Sequence, residues 1–235
     1  MDVEMALTET TRDLLRRVST ATLTTQLMKR GFRNVFMEGV RAVNPGEGAM
    51  VGEAVTLRYI PAREDLDSIE SLGSRDHPQR KTIETIPAGA VLVADCRGDV
   101  RAAGVGAILV ARLRARGAAG FVCDGGVRDL ATAAAQGLPV FCAGPAAPPN
   151  VIRHHAVDAG LPVACGGVSV FPGDIVVGDS DGVVVIPRHL AEEVAAAAAE
   201  QDRLEAFLLE EVRSGKPLFG TYPPDEATLR RYRGE

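Results

Sequence analysis

Gly120-Phe121-Val122-Cys123-Asp124-Gly125-Gly126-Val127-Arg128-Asp129 is the stretch on which the reading of this chain turns. An apolar strand over residues 120–123 delivers the backbone to a glycine pair, where the lack of side chains permits close approach to a ligand. Asp124 stands just before the pair, and Arg128 and Asp129 follow it. Open α/β sheets bind ligands at the carboxyl ends of their strands, and this segment predicts such an end. A guanidinium offers a planar fork suited to a carboxylate. An aspartate offers a hard oxygen suited to magnesium or manganese. Spacing alone leaves a second reading open, in which Arg128 and Asp129 form a surface ion pair that caps the next helix.

Upstream, Gly104-Val105-Gly106 opens a predicted helix over 107–116 that Gly117 stops. Free amides at a glycine-opened helix start form an anion cradle, although a plain β–α turn has the same sequence. Two spaced glycines without a third make no dinucleotide fingerprint. Before this lies an apolar strand ending in Asp95, and earlier a strand over 51–60 with Val55, Leu57 and Tyr59 on one side. Residues 61–80 are polar and lack a period, which fits a loop or a short helix decorating the core. The chain begins with two helices over 8–29, the second capped at Ser19-Thr20 and ended by Gly31.

Downstream, a helix over 130–136 is stopped by Gly137, and strands are expected over 139–143 and 163–170. Residues 175–177 and 183–187, joined by the turn Asp179-Ser180-Asp181-Gly182, read as a hairpin. That turn holds too few ligands for a calcium loop. An alanine- and glutamate-rich helix spans 191–212, and the tail 215–235 is expected over a surface. The fold class is therefore an α/β sandwich without the regular alternation of a doubly wound fold. One unit of 235 residues is expected, with 61–80 inserted and 215–235 appended.

The balance of 46% hydrophobic and 24% charged residues is that of a soluble globular chain. The start, Met1-Asp2-Val3-Glu4, lacks a basic, apolar leader, and no apolar run is long enough to span a bilayer. A cytoplasmic location is expected, with no membrane partner. A net charge of −5 with scattered basic residues, including Arg112, Arg114 and Arg116, argues against nucleic acid. Cys96, Cys123, Cys142 and Cys165 stand singly and read as buried small hydrophobes. His154 and His155 are adjacent and point apart, which suits no metal site.

The run 104–129, with Phe171-Pro172-Gly173-Asp174-Ile175-Val176-Val177-Gly178-Asp179 and the strand through Pro187, resembles the RraA-like family. Ser19-Thr20-Ala21 and Gly52-Glu53-Ala54-Val55-Thr56 resemble its amino-terminal part, so the likeness covers roughly residues 15–215. The resemblance implies a compact swivelling β/β/α-type sandwich, assembled as a homotrimer or hexamer with sites between subunits. The family includes 4-hydroxy-4-methyl-2-oxoglutarate aldolases with oxaloacetate decarboxylase activity, and the ribonuclease E inhibitor RraA. By that likeness Arg128 binds the pyruvyl unit and supports its enolate, Asp129 anchors magnesium or manganese, and Asp124 joins them as a catalytic candidate. Gly106, Ala107, Ile108 and Leu109 form the substrate-binding segment, with the amides of Ile108 and Leu109 on the substrate carboxylate. Glu205 of the long helix is the candidate contribution from a neighbouring subunit. One departure stands out: the aldolases carry an acid where this chain has Ala107, and Asp95, Asp99 or Asp124 are the carboxylates available to replace it.

The expected function is a divalent-metal-dependent lyase on a 2-oxo acid, by retro-aldol cleavage or decarboxylation. Two alternatives are a non-catalytic regulator binding a protein such as a ribonuclease, which Ala107 favours, and a dehydratase or lyase on an acidic sugar.

Overall fold

A computed structural model describes residues 7–43 and 49–235; the acidic start of the chain lies outside them. Helices α1 (Glu9–Arg17) and α2 (Thr20–Lys29) begin where Thr8 and Ser19 place side-chain oxygens on the amides of Thr11 and Thr22. Strands β1 (Arg41–Ala42) and β2 (Met50–Pro61) precede helix α3 (Pro78–Thr85) and strand β3 (Val91–Asp95). There follow β4 (Ala103–Val105), α4 (Ala107–Ala115), β5 (Gly120–Cys123), β6 (Gly126–Val127), α5 (Leu130–Ala134), β7 (Val140–Cys142) and β8 (Gly144–Pro145). The chain continues through β9 (His154–Ala159), β10 (Val163–Cys165), β11 (Val168–Val170), β12 (Ile175–Gly178) and β13 (Val183–Ile186). Helices α6 (Ala191–Arg213) and α7 (Glu226–Arg233) end it.

The main sheet runs β1-β7-β5-β3-β2-β12-β13, with β9 pairing the far part of β2. Its centre, from β7 to β2, is parallel, and the flanking pairs are antiparallel. Every residue of β3 and β5 is buried, as central parallel strands require. Helices α3, α4 and α5 cover one region, where Leu92, Phe121, Val110, Leu113 and Leu138 pack together. Leu15, Leu23, Leu27, Val184, Ile186 and Val194 join α1, α2 and α6 to the β12–β13 hairpin. The β10–β11 hairpin packs through Val163, Cys165 and Val170 against Val93 and Val122.

One detail of this topology builds the site. After β3, β5 and β7 the chain leaves the main sheet, turns, and adds β4, β6 and β8 to a small parallel sheet in the order β4-β6-β8. The carboxyl ends of β4 and β6 thereby come to lie side by side, with Val105 opposite Val127.

The structure revises several local expectations. The strand expected over 163–170 is the hairpin β10–β11, because Gly166-Gly167, both at positive φ, turns the chain back. The insert 61–80 carries a short 3-10 turn at Glu70–Gly73 and the start of α3. The helix expected over 130–136 ends at Ala134. His154 and His155 start a strand, and the tail contains α7, held to α6 by Arg231 on Glu211 at 2.8 Å. Among the described residues, no helix is long and apolar enough to cross a membrane.

Candidate active site

Gly106 ends β4 and sits at the N-cap of α4, in extended conformation (φ −133°, ψ −178°) and without a capping side chain. Arg128 directly follows β6, and its amide donates to the Val105 carbonyl at 3.1 Å. This bond draws Arg128 and Asp129 to the opening of α4. Any Cβ at position 106 would stand 2.7 Å from Arg128 Cγ and 3.1 Å from Asp129 Oδ2, so only glycine admits this packing. Gly106 is the glycine whose smallness makes the site. The pair Gly125-Gly126, read from sequence as room for a ligand, instead makes room for protein. Cβ atoms there would lie 2.5 Å from the Cys96 Cβ and 2.4 Å from the Ala146 Cβ.

Asp129 holds φ 54°, ψ 41°, a left-handed conformation uncommon outside glycine that aspartate tolerates better than most. It occupies the N-cap position of α5, yet its side chain makes no capping hydrogen bond. Its carboxylate lies 3.4 Å from Arg128 Nε, and both side chains are about half exposed. The ion pair of the alternative reading is therefore present, the side-chain cap is not, and the pair lies at a cleft of about 240 Å³. Gly106, Ile108, Leu109, Arg128 and Asp129 line it, joined by Gln79 and Arg80 from α3.

The other candidates fall differently. The Leu109 amide donates to the Gly106 carbonyl at 3.0 Å. The amides of Ala107 and Ile108, in the first helical turn, have no acceptor within the helix, and of these two residues Ile108 lines the cleft. The Ala107 methyl belongs to the core rather than to the cleft. Asp124 does not reach the cleft. It is buried, its oxygens accept from the amides of Cys96 at 2.7 Å and Gly98 at 2.9 Å, and it shapes the 96–98 turn. Burial pushes its carboxyl above the ordinary carboxylate range, the two amides opposing this. Asp95 is similarly committed to the amides of Arg97 and Ala164, and Asp99 forms a bidentate pair with Arg101. None of the three lines the cleft in place of the acid missing at 107. Glu205 accepts from Gln201 at 2.8 Å on α6, a helix packed against α1 and α2, and does not line its own chain's cleft.

Sequence reading missed Gln79 and Arg80. They lie at the end of a stretch with no period, and only the proline at the first position of α3 signals a helix there. Gln79, 1% exposed, donates to the Gly104 carbonyl at 2.6 Å and to the Tyr59 hydroxyl at 2.8 Å, bolting α3 to β4.

Asp129 is the one carboxylate lining the cleft among the described residues, and no three His, Cys, Asp or Glu side chains converge there or elsewhere in a metal-binding arrangement. Magnesium characteristically keeps most of its water and uses one or two carboxylates together with substrate oxygens. The donor set fits such a hydrated, substrate-shared ion, and lacks the nitrogen and sulfur ligands of zinc.

Comparison with known proteins agrees with this architecture. The family model described as "RraA-like: Aldolase/RraA" matches residues 20–185. The chain belongs to the RraA-like family. A structure from Streptomyces coelicolor, RraAS2, described as an unusual member of the RNase ES inhibitor RraA protein family, is 31% identical. The match covers 86% of this chain and 97% of that one, with a TM-score of 0.75. An uncharacterized protein from Pseudomonas syringae is 26% identical over 93% of this chain and 99% of that one, with a TM-score of 0.78. A Halalkalibacterium halodurans protein named "Putative 4-hydroxy-4-methyl-2-oxoglutarate aldolase" is 37% identical over 113 residues, 48% of this chain. The match spans about half of that relative, 53% of its length.

Proposed function

We propose that this protein is a lyase that cleaves a carbon–carbon bond of a 2-oxo acid through an enolate stabilised by Arg128, with a magnesium or manganese ion held at Asp129. The observation that carries this is the convergence of Arg128, Asp129 and the start of α4, at Gly106, Ile108 and Leu109, on one small cleft. The names of the aldolase relatives support the same reaction class.

The amides of Ala107 and Ile108 receive the substrate carboxylate, where the positive end of α4 adds to their pull. Arg128, half-exposed and 3.4 Å from the Asp129 carboxylate, presents its guanidinium to the 2-oxo oxygen. As the bond breaks, its electron pair passes into the new enolate and negative charge collects on that oxygen. Donors fixed in advance at such an oxygen commonly supply a hundred- to a thousandfold in rate. When bound, the divalent ion adds Lewis-acid stabilisation to the same oxygen.

Decarboxylation of a 3-carboxy-2-oxo acid such as oxaloacetate needs only this electron sink: carbon dioxide departs and the enolate is later protonated. Retro-aldol cleavage also needs a base for the hydroxyl proton, and Asp129 is the only carboxylate lining the cleft among the described residues. We therefore expect decarboxylation of oxaloacetate to outpace cleavage of 4-hydroxy-4-methyl-2-oxoglutarate. Pyruvate release from both, with magnesium or manganese, tests this. Metal-dependent turnover that disappears in Asp129→Ala supports the proposal; no turnover of either acid refutes it.

A second reading, a non-catalytic regulator of a protein such as a ribonuclease, is favoured by Ala107 and by the likeness to RraAS2. An acidic sugar as substrate would use the same electron sink. Self-association as a trimer or hexamer belongs to the proposal, and Glu205 is its candidate contribution to a neighbour's cleft.

A further inference from the structure

Strand β4 leads into Gly106, and the Arg128 amide bonds to its last carbonyl, so a shift of β4 is passed to the cleft. The strand has three residues, and side chains from two other elements fasten it. Gln79 of α3 donates to the Gly104 carbonyl at 2.6 Å. His154, the first residue of β9, holds the Ala102 carbonyl through Nε2 at 3.2 Å. Its side chain is buried, with the ring 5.4 Å from that of Tyr59.

The imidazole has a second partner, since its Nδ1 lies 3.3 Å from Arg97 Nη2. The two bonds fix its protonation state. A carbonyl only accepts, so the proton sits on Nε2; a guanidinium only donates, so Nδ1 offers its lone pair. A second proton has no place here. It would set an N–H of Nδ1 against an N–H of Arg97, and one cation against another in a nearly buried site. Arg97 itself holds φ 61°, a left-handed conformation uncommon outside glycine. Its amide on Asp95, its guanidinium on the Arg153 carbonyl, each at 2.9 Å, and the imidazole keep it there.

The remaining groups around His154 do not offset a second charge. Asp99 and Arg101, on the segment leading into β4, are paired with each other. From β2 comes Tyr59, whose phenol burial pushes well above its ordinary range. From α3, His77 interacts with His155 and Asp67, and Arg80 with Tyr59. Burial, with Arg97 and Arg101 adding to it, holds the imidazole below its ordinary range against the pull of the Ala102 carbonyl and Asp99.

We infer that His154 is a positioning residue that works as a proton-sensitive latch. Its neutral ring ties the 96–98 turn to the start of β4; its protonation releases Arg97 and loosens β4, so the cleft weakens its hold on ligand in acid. For the ligand this rests on the reading of the cleft as a 2-oxo acid site, whereas the latch is a property of the unliganded protein.

The test follows two quantities on the full-length protein between about pH 7.5 and 5, for wild type, His154→Gln and Arg97→Gln. One is the protection of amides 101–106 against hydrogen exchange without ligand, corrected for the intrinsic rate at each pH. The other is the affinity for pyruvate with magnesium, by titration calorimetry; the pyruvate carboxylate stays ionised throughout. In wild type both should fall about tenfold or more, with a common midpoint below about pH 6.5. Glutamine keeps a donor for Ala102 and an acceptor for Arg97 and takes no proton. His154→Gln should therefore match wild type at about pH 7.5 and lose the fall. Arg97→Gln removes the cation that opposes the second proton, so its midpoint should rise by about one pH unit.

A flat exchange profile in wild type, or an equal fall in His154→Gln, overturns the latch. If exchange changes as expected while pyruvate binds equally at every pH, the latch does not reach the site and the inference is wrong. If pyruvate binds at no pH, the reading of the cleft fails, and the exchange profiles alone support or overturn the latch. Should His154→Gln lack protection even at about pH 7.5, Arg97→Gln decides: a raised midpoint supports the latch and an unmoved one overturns it.

Discussion

At Gly106 the absence of a side chain is a requirement for the proposed chemistry. A methyl there would stand 2.7 Å from Arg128 Cγ, well inside contact distance. Gly106→Ala should therefore displace the guanidinium while leaving the extended backbone of that residue acceptable. Misplacement of a positioned group by about 1 Å can cost a hundredfold in rate. We expect a loss of about ten- to a hundredfold in pyruvate release from oxaloacetate, with a circular dichroism spectrum like that of wild type. Unchanged turnover would show that Arg128 is not held by this contact. At the same scale the sequence offered Arg128 and Asp129 as candidates, and the structure places both on the lining of the cleft beside Gly106. The sequence did not reveal which glycines matter. Gly125-Gly126 and Gly106 look alike in one dimension, and only the neighbours Cys96, Ala146 and Arg128 separate packing from function.

Among the elements, α3 carries the largest consequence for the site. Its tie to β4 runs through the Gln79 side chain, buried between the Gly104 carbonyl and the Tyr59 hydroxyl. Gln79→Met keeps the volume and removes both hydrogen bonds, leaving two buried groups to find other partners. The expected destabilisation is about 1–3 kcal/mol, measured by urea denaturation, with weaker ligand binding as the cleft loosens. A stable variant with unaltered binding would mean that α3 is held by its apolar contacts alone. The helices α1, α2, α4 and α6 were legible from caps, glycine stops and apolar spacing, and so were β3 and β5 from their uniform apolarity. The small sheet β4-β6-β8 was not, since its strands have two or three residues and no periodicity can be read from so few. Strand β9 was hidden for another reason. Its first residue, His154, is buried against the Ala102 carbonyl at 3.2 Å, a polar contact that imitates exposure in sequence. Strand β2, by contrast, was bounded to within a residue at each end.

Across the whole molecule, buried titratable groups set how stability varies with pH. Burial holds His154 below the ordinary imidazole range, and burial followed by the nearby Arg80 does the same to His77. Both take up a proton less readily in the folded chain than in the unfolded one, so the unfolded chain takes up protons first as pH falls. Their contribution is present above the unfolded value of about 6.5 and is lost as pH drops toward their lower folded values. Asp124 acts with the opposite sign nearer the carboxylate range, because its raised value lets the folded chain bind a proton before the unfolded one. Denaturation at about pH 7, 6 and 5 should show stability falling over that interval, and His154→Gln should flatten the fall. An equal slope in both proteins would remove His154 from the account.

The central claim is that Arg128 supports the enolate of a 2-oxo acid. The most direct measurement is the rate of pyruvate formation from oxaloacetate at saturating magnesium, for wild type and for Arg128→Ala. The account predicts metal-dependent turnover that falls about a hundred- to a thousandfold in the variant, with its melting temperature unchanged. Equal turnover in the two proteins, above the rate of magnesium alone, would contradict it.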